Sequence, residues 1–261
     1  MRWGVVILGG GTVDPAMAQA IGATNKSLAL LNNKISVQWV LEAVAECRMA
    51  HVVTVGPESL RDSITQGEFR VEGGGAVENV KIGIDALPEA DAILMLPSDS
   101  PFLTSKGILH FLGHIERDLS DQGGKWCATS LCPIEAFRSF FPNCPASGVP
   151  LQKTEYVSGA LYACGVQGFE TVRPTMVQLR TARKAPLEMA RIVLSKVGIL
   201  MLIQAIWRRK QPAFLEQVLT RALGVKTKIY LDADAPSCMD FDTPEEWEAC
   251  VRHAATISES K

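Results

Sequence analysis

The 261-residue sequence predicts an α/β fold, a mostly parallel mixed sheet flanked by helices, formed as one domain over residues 1–261. Three observations carry that expectation. Short apolar runs rich in β-branched residues end abruptly at glycine, proline or an acid, as strands buried on both faces do. Segments with apolar residues at helical spacing lie between them. The two kinds alternate through the first half of the chain, the order that builds parallel strands with right-handed helical crossovers.

WGVVIL (3–8) is the first buried strand and ends in Gly9-Gly10-Gly11. SVQWVLEAVAEC (36–47) sets Val37, Val40, Leu41, Val44 and Ala45 at helical spacing. HVVTVG (51–56) is a second strand, and PESLRDSIT (57–65) reads as a helix with Pro57 at its first position. AVENVKIGIDAL (76–87) is a helix with Val77, Val80, Ile84 and Leu87 on one face. DAILML (91–96) is a strand, TSKGILHFLGHIERDL (104–119) a helix capped by Thr104, and KWCATSL (125–131) another strand. Beyond residue 133 the alternation weakens. CPIEAFRSFFPNCPASGVPLQ is proline-rich and loop-like, YVSGALYAC (156–164) is a strand, and 185–207 is a long apolar helical region with a break near Gly198. FLEQVLTRALG (214–224) is a helix stopped by Gly224, and KTKIYLD (226–232) is a strand. TPEEWEACVRHAA (243–255) is a last helix, capped by Asp242 or Thr243, with Glu245 and Glu246 in its first turn. Residues 133–225 are expected to form a lid or insertion on the domain.

Composition excludes several classes of function. A net charge of -2 without a polybasic stretch argues against nucleic acid and membrane surfaces as partners. The basic cluster WRRKQP (207–212) reads as a helix C-terminus, where cations are favoured. VGILMLIQAIW (197–207) is too short for a membrane span and reads as a buried helix, and MRWGVVILGGG lacks the form of a signal peptide. Seven cysteines, an odd number with no CxxC pair, read as free thiols of a cytoplasmic protein. The four histidines do not cluster with them, so a zinc site is not expected.

The chemistry-bearing groups lie at strand ends, where ligands of such sheets bind. Gly9, Gly10 and Gly11 let backbone N–H groups approach phosphate oxygens, or else form a plain tight turn. The segment GGGTVDPAMAQAIGATNK is neither a G-x-x-x-x-G-K-[ST] phosphate loop nor a G-x-G-x-x-G fingerprint. It is long for a strand-to-helix link, and Lys26 at its end suits a polyphosphate. LMLPSDSPFLT (94–104) drives a strand into Pro97, Ser98 and Asp99, and the lone carboxylate is either a turn residue or a ligand for Mg²⁺ beside phosphates. CMDFDTPEEWE supplies Asp240 and Asp242, whose i, i+2 spacing puts both side chains on one side of an extended segment. In GGGAVENV (73–80), the amides of the glycine-rich stretch are available to a base edge or ribose, the alternative being a simple glycine-rich turn, and Glu78 and Asn79 fall in the first turn of the helix that follows.

Taken in order, ILGGG…DP…ATNKSLALLNNKISVQWVLEAV, GGGAVENVKIGIDAL, ILMLPSDSPFLT and MDFDTPEEWE resemble the MobA-like NTP transferase family, in an uncharacterised branch. The resemblance covers nearly the whole chain, best at 5–45, 73–103 and 238–250. It implies a Rossmann-like, GT-A-like nucleotidyltransferase fold and Mg²⁺-dependent transfer of an NMP from an NTP to a small phosphorylated acceptor, with release of pyrophosphate. It implies that Leu8, Gly9, Gly10, Gly11 and Lys26 hold the triphosphate, with Pro97, Ser98 and Asp99 beside it. Lys26 and Asp99 would be catalytic, Asp99 and Asp240 would bind Mg²⁺, and Gly74, Gly75 and Asn79 would lie near the base. Asp242 is left as the helix cap. A homodimer is allowed. The chain departs from the pattern in three places: residues 12–25 contain no arginine, NNKIS (32–36) replaces a Gly-Lys/Arg-Pro turn, and Ser158-Gly159-Ala160 stands where Gly-Gly-Asn is usual. The acceptor is therefore open. A molybdenum-cofactor guanylyl- or cytidylyltransferase and a catalytically impaired nucleotide-binding protein are the alternative readings, and a glycosyltransferase lacks its D-x-D after a strand.

Overall fold

The computed structural model describes residues 1–151, 153–182, 185–198, 201, 204, 208 and 211–259. Its centre is an eight-stranded sheet. In chain order the strands and helices are β1 (Trp3–Leu8), α1 (Pro15–Ile21), β2 (Leu30–Leu31), β3 (Lys34–Ile35), α2 (Ser36–Glu46), β4 (Val52–Gly56), β5 (Glu68–Val71), α3 (Ala76–Asp85), β6 (Ala92–Pro97), α4 (Ser105–Leu119) and β7 (Trp126–Pro133). There follow α5 (Ile134–Phe140), β8 (Val149–Leu151), β9 (Thr154–Gly165), α6 (Val166–Ala182), α7 (Pro186–Val197), α8 (Pro212–Leu223), β10 (Lys226–Tyr230) and α9 (Pro244–Glu259). The sheet order is β10-β7-β9-β6-β1-β4-β5, with β8 paired to β9 and β2-β3 forming a separate hairpin. β9 runs antiparallel to β6, β7 and β8, while the β1-β4, β1-β6, β4-β5 and β7-β10 pairs are parallel. The expected mostly parallel mixed sheet is the one observed.

The strand pattern explains the two helical layers. Successive strand residues face opposite sides. Val5, Ile7, Leu94 and Leu96 pack with Val37, Val40, Leu41 and Val44 of α2 and with Ile108, Phe111, Leu112 and Ile115 of α4. Val6, Val53, Val55 and Ile93 pack with Val80, Ile84 and Leu87 on the α3 side and with Phe169 of α6. Within α2, Ala43 is buried and Ala45 is exposed, the reverse of the expectation for Ala45. Thr104 caps α4 as expected, its hydroxyl accepting from Gly107 N at 3.0 Å.

Several local expectations are corrected. Residues 57–65 hold a 3-10 helix, Glu58–Ser63, with Pro57 outside it at the cap. The loop-like stretch from 133 contains α5 and β8. The link between Gly11 and Lys26 contains α1, capped by Asp14, started by Pro15 and ended by Gly22 in the left-handed region at φ 68°. Asn32 and Asn33, with φ of 49° and 60°, make the tight β2-β3 turn. Gly198 ends α7 and Gly224 ends α8. Most of the buried helix expected over 197–207, and Trp207, Arg209 and Lys210 of the basic cluster, lie outside the described residues. No helix among the described residues is long and apolar enough to cross a membrane. All seven cysteines are free thiols.

Candidate active site

The carboxyl ends of β1, β6 and β10 open on one edge of the sheet, and the chain after each carries polar groups to it. The glycine loop after β1 is held in shape by side chains from the segment that follows α1. Buried Asn25 donates from Nδ2 to Gly9 O at 2.9 Å and Gly11 O at 2.7 Å, and its Oδ1 accepts from Ser27 N. Ser27 Oγ donates to Gly9 O at 3.0 Å, so the 2.7 Å contact with Ser98 Oγ is a bond that Ser98 donates. Ser36 Oγ in turn donates to Ser98 O. β1, the glycine loop, Lys26 and the loop after β6 are thereby locked together. Gly11, at φ 97°, takes a backbone conformation that suits glycine. Its N–H points at an anionic oxygen, donating to Glu72 Oε2 at 2.8 Å.

Lys26 is the electrostatic centre. Its Nζ donates to Asp99 Oδ2 at 2.8 Å and is also paired with Asp242 Oδ1. Burial opposes its charge, but Asp99 and then Asp242 outweigh that and hold its pKa above the usual lysine value. Asp242 was expected to cap α9. Instead Thr243 does so, its Oγ1 accepting from Glu246 N while Glu246 Oε2 accepts from Thr243 N and Asp242 N. That reciprocal box frees the Asp242 carboxylate for Lys26. Asp240 is exposed to the cleft, yet the surrounding protein strips part of its hydration, and Asp99 and Asp242 add repulsion. Its pKa is pushed up to about 7. The cleft thus holds negative charge that Lys26 does not fully offset. Its donors are hard carboxylate oxygens, which fit a Mg²⁺-like cation.

Two cavities adjoin here and share Asp99. One, about 240 Å³, is lined by Leu8, Gly10, Gly11, Asn25, Lys26 and Ser98. The other, about 390 Å³, is lined by Pro97, Asp240, Asp242, Ser158, Gly159 and Tyr162 among others. The expected groups are therefore brought together at Leu8, Gly10, Gly11, Lys26, Pro97, Ser98, Asp99 and Asp240. Gly9 lies behind the first cavity, its N donating to Val55 O at 2.8 Å. Asn79 is buried beside Gly10, and its Oδ1 accepts from Gly73 N. Gly74 opens instead on a separate groove with Val77, Glu78, Val177, Arg180 and Thr181, and Gly75 packs against the Arg180 guanidinium. Sequence reasoning missed Asn25, Ser27, Glu72 and Tyr162. The adjacency of Asn25 and Ser27 to Lys26 was the one available signal.

Residues 5–129 match the model of the MobA-like NTP transferase domain. That stretch is a MobA-like NTP transferase domain. It makes the chain a nucleotidyltransferase. Among curated proteins, none has a matching sequence. The fold is shared with solved structures. A hypothetical transferase from Thermus thermophilus is 23% identical, with a TM-score of 0.76 over 95% of this chain and 100% of that one. A nucleotidyl transferase from Methanothermobacter thermautotroptrophicus is 12% identical, with a TM-score of 0.60 over 98% and 99%. A CMP:2-keto-3-deoxy-manno-octonic acid synthetase complexed with CTP is 14% identical, with a TM-score of 0.59 over 100% of both chains. The architecture of this nucleotidyltransferase is therefore the GT-A-like one the sequence implied.

Proposed function

We propose that this nucleotidyltransferase moves an NMP from an NTP to a small phosphorylated acceptor with Mg²⁺ as cofactor. The observation that carries the reading is the pair of adjoining cavities with Lys26 and Asp99 at their junction. The glycine side, with its outward Gly11 N–H, suits the triphosphate. The other side suits the acceptor, and much of its wall comes from 133–225, which we read as the lid of one domain. In the transfer, an acceptor phosphate oxygen bonds to the α-phosphorus. The bond from that phosphorus to the oxygen bridging to the β-phosphate breaks, and pyrophosphate leaves with the electron pair. Lys26 neutralises charge that builds on the α-phosphate, and the Asn25-Ser27-Ser98 network keeps it and the loop positioned. Asp99 and Asp240 would hold the Mg²⁺, which supplies charge neutralisation on the phosphates. Asn79, buried beside Gly10 and accepting from Gly73 N, would shape the wall on the nucleoside side. One structure of the same fold is a 2-C-methyl-D-erythritol 4-phosphate cytidylyltransferase from Thermus thermophilus, a name that joins nucleotidyl transfer to a small phosphorylated molecule.

The test is a pyrophosphate-release screen of the four NTPs against phosphorylated acceptors, with and without Mg²⁺. Release that requires one NTP, one acceptor and Mg²⁺, and that collapses in Asp99→Asn, supports the reading. Metal-independent release, or turnover retained in Asp99→Asn, removes it.

A further inference from the structure

His110 and His114 stand four residues apart on α4, so both imidazoles leave the same face. Asp232, just beyond β10, reaches that face. His110 Nε2 lies 3.0 Å and His114 Nε2 2.8 Å from Asp232 Oδ2, and the two nitrogens are 3.1 Å apart. Among the described residues this is the one group of three or more His, Cys, Asp or Glu side chains whose donor atoms converge so closely. Cysteine spacing gave no hint of it, and the carboxylate lies 118 residues beyond His114.

Hydrogen bonding alone does not satisfy the triangle. Arg117 Nη2 can only donate and lies 2.5 Å from His114 Nδ1. Neutral His114 therefore carries its proton on Nε2, where Asp232 accepts it. If His110 Nε2 also carries a proton, two N–H groups face each other. If it does not, its lone pair faces the carboxylate oxygen. One contact is unfavourable either way. A cation removes the conflict, because all three lone pairs then point at one positive charge. For metal–ligand bonds of about 2.1 Å, the measured triangle sets angles of about 85–95° at the ion, one face of an octahedron.

The geometry points to a transition-metal site outside the catalytic cleft, with His110 Nε2, His114 Nε2 and Asp232 Oδ2 as three facial ligands for a divalent ion of the Ni²⁺, Co²⁺ or Zn²⁺ class and water in the remaining positions. Two imidazoles select such ions over Mg²⁺, which prefers oxygen. The site is partly pre-organised. His114 has only 16% of its side chain exposed and stacks on Tyr230 with the rings 4.8 Å and 14° apart, and His110 packs edge-on against it. Binding moves the His114 proton from Nε2 to Nδ1. Arg117, an exposed side chain also paired with Asp118, must then turn away. The ion would tie α4 to the segment that runs from β10 to Asp240.

The test uses the chelator-stripped full chain, titrated by calorimetry with Ni²⁺ and, separately, Co²⁺. The expected result is one equivalent bound, with the weak visible bands of six-coordinate Co²⁺ and no intense thiolate charge-transfer band. His110→Ala and Asp232→Asn should each weaken binding about tenfold or more. Arg117→Ala should tighten it several-fold, because the competing donor to Nδ1 is gone. Asp99→Asn should leave it unchanged. Metal-free melts of each variant confirm the fold, and metal should raise the melting temperature of the native chain but not of His110→Ala. No binding by the native chain, an unchanged isotherm in His110→Ala, a thiolate band, or loss of binding in Asp99→Asn would each overturn the site.

Discussion

Replacing Lys26, whose ammonium lies 5.8 Å from the centre of the Phe241 ring, with methionine removes one charge while keeping an apolar stem. The Lys26 and Asp99 side chains are only 20% and 17% exposed, so this ion pair is largely shielded from water, whereas Asp242 is 74% exposed and adds little. Breaking a fully buried pair from one side costs about 3–5 kcal/mol, and the residual exposure here reduces that to about 2 kcal/mol. A loss of that size lowers Tm by roughly 4–8 °C in a chain of this length. The raised pKa of Lys26 makes its contribution complete at neutral pH and lost only as pH rises through its folded pKa. Turnover should fall about 100-fold or more, the usual consequence of removing a group that stabilises transition-state charge. Adding Mg²⁺ should restore much of the stability, because it neutralises the carboxylates that Lys26 leaves behind, but should not restore the rate. Thermal melts and pyrophosphate release, each with and without Mg²⁺, read both effects. A rate within threefold of the native chain would refute the catalytic role, and a melting temperature that ignores Mg²⁺ would refute the cation site.

Asp240→Asn should raise metal-free stability by about 1 kcal/mol at pH 8 and leave it unchanged below pH 4, because a carboxyl with a raised folded pKa lends stability at low pH that is lost as pH rises toward 7. The same variant should need more Mg²⁺ for turnover, and equal melting shifts at the two pH values would refute the assignment. Asn25→Ala removes three hydrogen bonds from a buried side chain and should cost about 2–4 kcal/mol and raise the KM for NTP, read by denaturant unfolding and steady-state kinetics. Thr243→Ala should cost about 1 kcal/mol as a lost cap with kcat unchanged, whereas Asp242→Ala should leave the cap intact. Glu72→Gln should tighten NTP binding several-fold in equilibrium titrations, since its carboxylate sits on the Gly11 N–H that the phosphates would take.

The parts of the fold legible in the sequence are those where one physical signal dominates. β1, β4 and β6 are continuous apolar runs, and α2, α3 and α4 carry their apolar residues at one spacing. α5 and β8 were lost because prolines at 133, 142, 145 and 150 hide short elements in a turn-like composition. The 3-10 helix at 58–63 shares its start signal with an α-helix. The position of β9 between β6 and β7 is a matter of pairing over long separations, on which local pattern is silent. In the candidate site, Asp99 was legible as an acid at a strand end and Lys26 from the long segment after the glycines, while Asp240 came through the family resemblance. The pairing of Lys26 with Asp242 was not, since 216 residues separate them. The Thr243-Glu246 box looks the same in sequence whether or not Asp242 is needed as a cap.

The antiparallel strand β9 also governs how the chain can be divided and assembled. The stretch 5–129 contains β6 and half of β7, yet these two strands do not pair with each other; each pairs with β9, where Tyr162, Ala163 and Cys164 each stand opposite a residue of both strands. The other neighbour of β7, β10, comes later still. A chain cut near residue 133 would leave one edge of β6 with unsatisfied N–H and C=O groups and β7 with no partner at all, an invitation to pair with other chains. During synthesis the sheet cannot close until β9 has emerged. Ser158, Gly159 and Tyr162 of that same strand line the larger cavity, so the event that joins the two halves of the sheet also builds the wall of the second cavity.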